Sequence, residues 1–165
     1  PAEAFVDVGH AVAEAKVANG VSPDTPVEPW RIPMPVWASD PDVKREMGRI
    51  WNQSRTDLPP TQRYEQGGWV VERWWARDGD VSVIRVLPGL PHKQPWLGYP
   101  PRFCFCTVRG VIHSHPLRGK DGPWDPFRPS DADLKHSKSL DILGIIVTFP
   151  DKPGGSYQAI PYEGN

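Results

Sequence analysis

The chain has 165 residues, a formal net charge of -1, 21 prolines and 8 tryptophans. This length predicts a single domain with a substantial core, and the near-neutral charge argues against partners such as nucleic acid or an anionic membrane surface. No apolar run approaches the roughly 18 residues of a membrane-spanning helix, so we expect no membrane span.

Residues 1–38 are predicted to form a helix and a proline-rich linker that pack on a main domain of residues 39–165. The helix is predicted at residues 3–18, where apolar side chains recur at helical spacing at Phe5, Val8, Val12 and Ala15. The linker carries Trp30 and Trp37 and is too apolar to remain free of the domain.

The main domain is predicted to be α/β, with a mixed β-sheet flanked by helices. Asp40 and Pro41 are typical of a helix start, and an apolar stripe follows at Val43, Met47, Ile50 and Trp51. Apolar and turn patterns predict strands at 68–76, 81–87, 103–112, 142–149 and 156–161, with a short helix at 130–138.

Cys104 and Cys106 lie two residues apart on a predicted strand. Side chains at this spacing share a face but are too far apart for an unstrained disulfide. We therefore expect both to be small core residues. A role as soft metal ligands is disfavoured, because paired cysteine ligands for zinc normally have two residues between them.

His113-Ser114-His115-Pro116 has the spacing of a metal-binding pair. On an extended segment the two histidines point to the same face, with Cα atoms about 6.5 Å apart. Asp133 is the candidate third ligand, because it lies at a predicted helix start that can meet the same end of the sheet. Two histidines and a carboxylate leave a position open, as in catalytic zinc sites.

Each half of this pattern has a simpler interpretation. Ser130-Asp131-Ala132-Asp133 has the form of a helix capping box, and two histidines on a strand are often only polar residues that recruit metal adventitiously. Their occurrence together favours the metal site.

The combination resembles the JAMM (JAB1/MPN/Mov34) metallopeptidases, whose signature also has an upstream glutamate, followed at the third position by glycine and then by an apolar strand. Glu65-Gln66-Gly67-Gly68 before Trp69-Val70-Val71 is similar to that element. The order of the three pieces is the family order, and the likeness spans about residues 40–162. It implies a JAB/MPN-like sheet, related to that of cytidine deaminases.

The resemblance implies a zinc-dependent hydrolase acting on a protein or peptide-like substrate. Zn²⁺ bound by His113, His115 and Asp133 would activate water, with Glu65 as general base. Ser130 would donate a hydrogen bond to the developing oxyanion. Glu65 has a simpler interpretation as a solvated carboxylate at a strand edge, and His136 could support a ligand or be an ordinary surface histidine.

The Glu65-Gln66-Gly67-Gly68-Trp69 variant is more similar to the bacterial branch at the C-terminal ends of Rhs-type polymorphic toxins. This implies a secreted effector domain delivered into a target cell as part of a larger polypeptide, which a chain beginning at Pro1 would suit, and an immunity protein as a partner. Residues 117–129 make the spacing before Ser130 longer than usual for the family. We expect this insertion, with Trp124 and Phe127, to form a wall of the cleft.

Other functions remain open. A peptidoglycan amide hydrolase would use the same site, and a non-catalytic MPN-type scaffold would use the same fold, although all the expected ligands are present. A zinc nucleoside deaminase is disfavoured, because the chain lacks both the H-x-E and the P-C-x-x-C motifs.

Overall fold

The computed structural model describes residues 28–75, 80–89, 100–101, 105–117, 125–150 and 156–164. The predicted helix at 3–18, Cys104 and residues 118–124 lie outside these ranges. The described elements are helices α1 (Pro41–Gln53) and α2 (Asp131–Leu140) and strands β1 (Gly67–Arg73), β2 (Val81–Arg85), β3 (Cys106–Ser114), β4 (Leu143–Thr148) and β5 (Gln158–Tyr162), with two short 3-10 turns at Val36–Ser39 and Pro60–Gln62.

The five described strands form one mixed sheet in the order β2-β1-β3-β4-β5. β3 and β4 are parallel, and the connection between them contains α2, as a parallel crossover requires. The other neighbouring pairs are antiparallel. The predicted α/β class is confirmed at this level.

The sheet lies between the two helices. On one face, the α1 stripe packs on Val70, Ile112 and Ile145. α1 begins as predicted, because the Asp40 side chain accepts hydrogen bonds from Asp42 N and Val43 N and Pro41 occupies the first turn. The opposite face packs against α2, through Leu134 and Leu140.

A β-bulge divides β3 and determines which face each of its side chains reaches. Val70 pairs with Gly110 but Val71 pairs with Val108, so Arg109 is an extra residue. As a result, Val108 and Val111 pack in the same cluster on the α2 face, although they are three residues apart. After the bulge the strand alternates regularly, with Ile112 on the α1 face.

The described part of the linker lies against the sheet. Trp30 packs with Ile146, Ile160 and Tyr162, and the backbone of Arg31 bridges that of Tyr162 beside β5. Trp37 packs in the cluster on the α1 face. Among the described residues, no helix combines the length and apolar character needed to cross a membrane.

One prediction about the cysteines was wrong. Cys106, at the start of β3, is disulfide-bonded and is not a free core residue. The expectation assumed regular strand geometry through the pair, whereas Phe105 has a positive φ of 45°. A left-handed residue beside Cys106 breaks the extended spacing on which the expectation depended.

Candidate metal centre

His113, His115 and Asp133 form a buried cluster at the C-terminal end of β3. The Nε2 atoms of the two histidines are 3.1 Å apart. Asp133 Oδ1 lies 3.2 Å from Nε2 of His113, and Asp133 Oδ2 lies 3.5 Å from Nε2 of His115. One ligand atom from each residue falls within 4.8 Å of the others, so the cluster could hold a metal ion.

The separations fit a small tetrahedral ion. Two ligands at about 2.0–2.1 Å from one zinc ion, at tetrahedral angles, lie about 3.3 Å apart. The separation of 3.1 Å between the two histidine Nε2 atoms and that of 3.2 Å between His113 Nε2 and Asp133 Oδ1 are close to this value. The donor set of two imidazole nitrogens and one carboxylate is also one that zinc accepts.

The sheet fixes the two histidines through their neighbours in β4. His113 pairs with Ile146 within the β3–β4 ladder. His115, just past the strand, donates its backbone N–H to Val147 O at 2.9 Å, and its carbonyl accepts a hydrogen bond from Thr148 Oγ1. Both side chains therefore project from a well-held backbone toward α2.

The helix start holds the Asp133 carboxylate. Ser130 donates its backbone N–H and its hydroxyl to Asp133 Oδ2 at 2.8 and 2.7 Å, and Asp133 N donates to Ser130 Oγ. The capping box and the predicted ligand are therefore the same residues. With Oδ2 engaged by Ser130, Oδ1 faces His113.

The electrostatics of Asp133 favour its anionic form. Burial alone would raise the pKa of this carboxyl. Electrostatic interactions and hydrogen bonds with His113 and His115 outweigh burial and hold the pKa of Asp133 well below its usual range. The carboxylate is thus ready to balance the charge of a cation at this site.

The Nδ1 nitrogens are the less firmly held atoms of the two histidine rings. In the described part of the chain, Nδ1 of His113 and Nδ1 of His115 are buried without a hydrogen-bond partner. Metal-binding histidines usually donate this N–H to a carboxylate or a carbonyl. Orientation here depends instead on packing, including the edge-on contact between the rings of His113 and Tyr162 at 6.0 Å.

Glu65 lies beside this cluster, two residues before β1. The β1–β3 register pairs Gly67 with His113, and continuing it places Glu65 next to His115. Burial raises the pKa of Glu65 from 4.5 to about 7; the charge of His115 lowers it and that of Asp133 raises it. Glu65 Oε2 is buried without a hydrogen-bond partner among the described residues. A carboxyl with a pKa near neutrality suits proton transfer.

The other candidates are placed as follows. Glu72 pairs with Arg109 near the far end of β1 and is remote from the cluster. His136 packs against the ring of Trp69, with centroids 5.6 Å apart. The Ser130 hydroxyl is donated to Asp133, so in this structure it orients that carboxylate. Of the 117–129 insertion, Leu117 and Pro126 are buried, whereas residues 118–124 lie outside the described residues.

Sequence reasoning missed the polar residues on the opposite face of the sheet. Ser114 lies between the two histidines but points toward α1, where its hydroxyl contacts Ser54 Oγ and accepts a hydrogen bond from Gln66 N. Arg85 of β2 also reaches Gln66. The alternation of a strand predicts that Ser114 faces away from the histidines, but no pattern in the chain indicates Ser54 as its partner.

Comparison with known proteins adds no relative. Neither a scan against protein-family models nor a search of the curated proteins finds a match to this chain. Function is therefore inferred from the site itself.

Proposed function

We propose that this protein is a zinc-dependent peptidase or isopeptidase of the JAMM type, with a JAB/MPN-like fold. The observation that carries the proposal is a buried set of two histidines and one aspartate with a separate carboxyl beside it. The mixed sheet between two helices is compatible with this fold, and the order of Glu65, the histidines and Asp133 along the chain is that of the family.

The roles of the residues follow from their positions. His113, His115 and Asp133 would hold Zn²⁺, which would supply Lewis acidity by polarising a substrate carbonyl and acidifying water. Glu65 would accept the proton of the attacking water and pass it to the leaving amine, because it lies beside the ligands without belonging to them. Its partial burial limits competing contacts with solvent.

Ser130 has two possible roles, and one of them has a contact in support. Its hydroxyl already donates to Asp133 Oδ2, which supports a role in orienting the ligand. The oxyanion role implied by the resemblance would require this hydroxyl to leave Asp133 and turn toward the substrate. We therefore assign orientation of Asp133 as its resting function.

The proposed setting is a bacterial effector domain that is delivered into a target cell and held inactive in the producer by an immunity protein. Support comes from the similarity of the Glu65-Gln66-Gly67-Gly68 element to that of Rhs-type toxins. Hydrolysis of a peptidoglycan amide is the alternative within the same chemistry, because it also requires attack of water on an amide carbonyl.

Purified protein loaded with one equivalent of zinc should hydrolyse either peptide and isopeptide substrates or peptidoglycan fragments, and chelation should abolish the reaction. The Glu65→Gln protein, also zinc-loaded, is the matched inactive control. Zinc-loaded protein that binds these substrates but hydrolyses none of them would favour the non-catalytic scaffold and overturn the proposal.

A further inference from the structure

We propose that Ser114, the residue between the two histidines, is a positioning residue for Glu65. It acts from the far face of the sheet, through the backbone of Gln66. The inference rests on the proposed function in so far as it assigns Glu65 the role of base. Its structural part, the attachment of the Glu65-Gln66 segment to β3, can be measured without any catalysis.

The polar contacts around Ser114 form a chain with a defined direction. Ser54 Oγ donates to Ile50 O in α1 at 2.7 Å, so the Ser54 hydroxyl must act as acceptor toward Ser114 at 2.6 Å. Ser114 in turn accepts from Gln66 N at 2.9 Å. Each of the two buried hydroxyls therefore donates once, and the chain runs from Gln66 to α1.

A second bond makes the attachment to Gln66 reciprocal. Ser114 N donates to Gln66 O at 2.8 Å, so Ser114 binds both backbone polar groups of Gln66. The side chain of Ser114 is fully buried, which excludes water as a substitute partner. Loss of its hydroxyl would leave Gln66 N–H buried without this acceptor.

Further contacts hold the same segment from other directions. The Gln66 side chain accepts a hydrogen bond from Arg85 Nη2 at 2.8 Å and donates to Gln53 O at 3.4 Å. Glu65 O accepts from Gly89 N at 2.9 Å. Hydrogen bonds thus connect the Glu65-Gln66 segment to α1, β2 and β3. Among these contacts, the ones with β3 involve the strand that also carries His113.

This shared residue links the base to the ligands. Alternation along β3 places His113 and His115 on one face of the sheet and Ser114 on the other. One tripeptide therefore positions both the candidate ligands and, through Gln66, the backbone that carries Glu65. A displacement of about 1 Å at a reacting group can reduce turnover by up to roughly 100-fold. Ser114 would thus affect turnover without touching the substrate.

Ser137 supplies a matched control. It too is a buried serine that bridges a donor and an acceptor, accepting from Gly164 N at 3.0 Å and donating to Ile142 O at 2.5 Å. It does so on α2, away from Gln66. Ser114→Ala and Ser137→Ala therefore remove the same group from equally buried positions.

The first measurement is amide hydrogen exchange in the metal-free protein. In Ser114→Ala, Gln66 N–H should exchange roughly tenfold faster relative to the Ile112 amide in the centre of β3, and Ser137→Ala should leave this ratio unchanged. An unchanged ratio in Ser114→Ala would overturn the proposal. If the alanine variant does not fold, Ser114→Cys keeps the volume and weakens the bond, and the same criterion applies.

The second measurement is turnover of zinc-loaded protein. Ser114→Ala should keep one equivalent of zinc, lower kcat more than KM changes, and have no further effect in a Glu65→Gln background, since it acts through Glu65. An equal loss of kcat in both backgrounds would refute positioning. If Glu65→Gln itself leaves kcat unchanged, the proposed function fails, whereas the exchange result for Gln66 is unaffected.

Discussion

Ser130 donates two hydrogen bonds to one oxygen of Asp133, Oδ2, and receives one from the Asp133 backbone. A capping box normally serves only to satisfy the first N–H groups of a helix. Here the side chain that completes the box also faces two buried histidines. Helix initiation and presentation of a candidate metal ligand thus depend on the same contacts.

Ser130→Ala should weaken metal binding as well as the helix. Loss of an N-cap hydroxyl costs about 1 kcal/mol of stability, and loss of a partner that orients a ligand typically lowers metal affinity by about 10- to 100-fold. Competition with a chromophoric chelator measures the affinity. Ser139→Ala, which removes an exposed hydroxyl on the same helix, is the control and should bind normally. Equal affinities in the two variants would contradict the orienting role.

The protein should bind one zinc ion per chain, and His113→Ala should lose stoichiometric binding because a three-ligand site retains only two. Elemental analysis after dialysis checks this result. His136→Ala should keep the full equivalent, since His136 packs on Trp69 outside the cluster. A full equivalent of zinc in His113→Ala would show that the ion binds elsewhere.

Glu65→Gln should keep both the fold and zinc while losing activity by about 100- to 10,000-fold, the usual contribution of a general base. Glu72→Gln, which weakens the ion pair with Arg109 far from the cluster, should change activity little. Each variant removes one ionisable carboxyl from the natural chain, and the two substituted positions lie toward opposite ends of β1. A larger loss of activity in Glu72→Gln than in Glu65→Gln would show that the base had been assigned to the wrong carboxyl.

Metal-free protein should show a pH dependence of stability that originates at Glu65. Burial raises the pKa of Glu65 from 4.5 to about 7. At a pH between these two values, the folded chain therefore holds a proton that the unfolded chain has released. The free energy of unfolding therefore falls as the pH rises through this window, by up to about 3 kcal/mol.

Urea denaturation of chelator-treated protein tests this relation. Glu65→Gln cannot ionise at this position, so it should be more stable than the natural chain at pH 8 and similar to it at pH 4. Glu72→Gln should follow the natural chain at both. A constant difference between Glu65→Gln and the natural chain over the whole range would contradict the raised pKa.

Local patterns predicted most of the elements because their causes are local. Asp40 and Pro41 begin α1, Ser130 caps α2, and the apolar run after Asp141 forms β4. The two histidines and Asp133 could be predicted as a cluster because strand alternation and a helix start each restrict where a side chain can point. Their roles in catalysis stay predictions.

Other features depend on contacts between distant parts of the chain. The bond between Ser54 and Ser114 joins a helix end to a central strand. The raised pKa of Glu65 results chiefly from burial, which no motif encodes. The prediction that Cys106 forms no disulfide was wrong, because it assumed an extended chain whereas the neighbouring Phe105 has a left-handed backbone conformation.

The bulge at Arg109 gives the two parts of β3 different freedom. Within the described sheet, residues 110–113 are paired on both sides, with β1 and with β4, whereas residues 106–108 pair with β1 alone. We therefore expect the early part of the strand to open and close in native-state fluctuations while the spacing of the histidines stays constant. Over evolutionary time, sequence change should accumulate before the bulge sooner than after it.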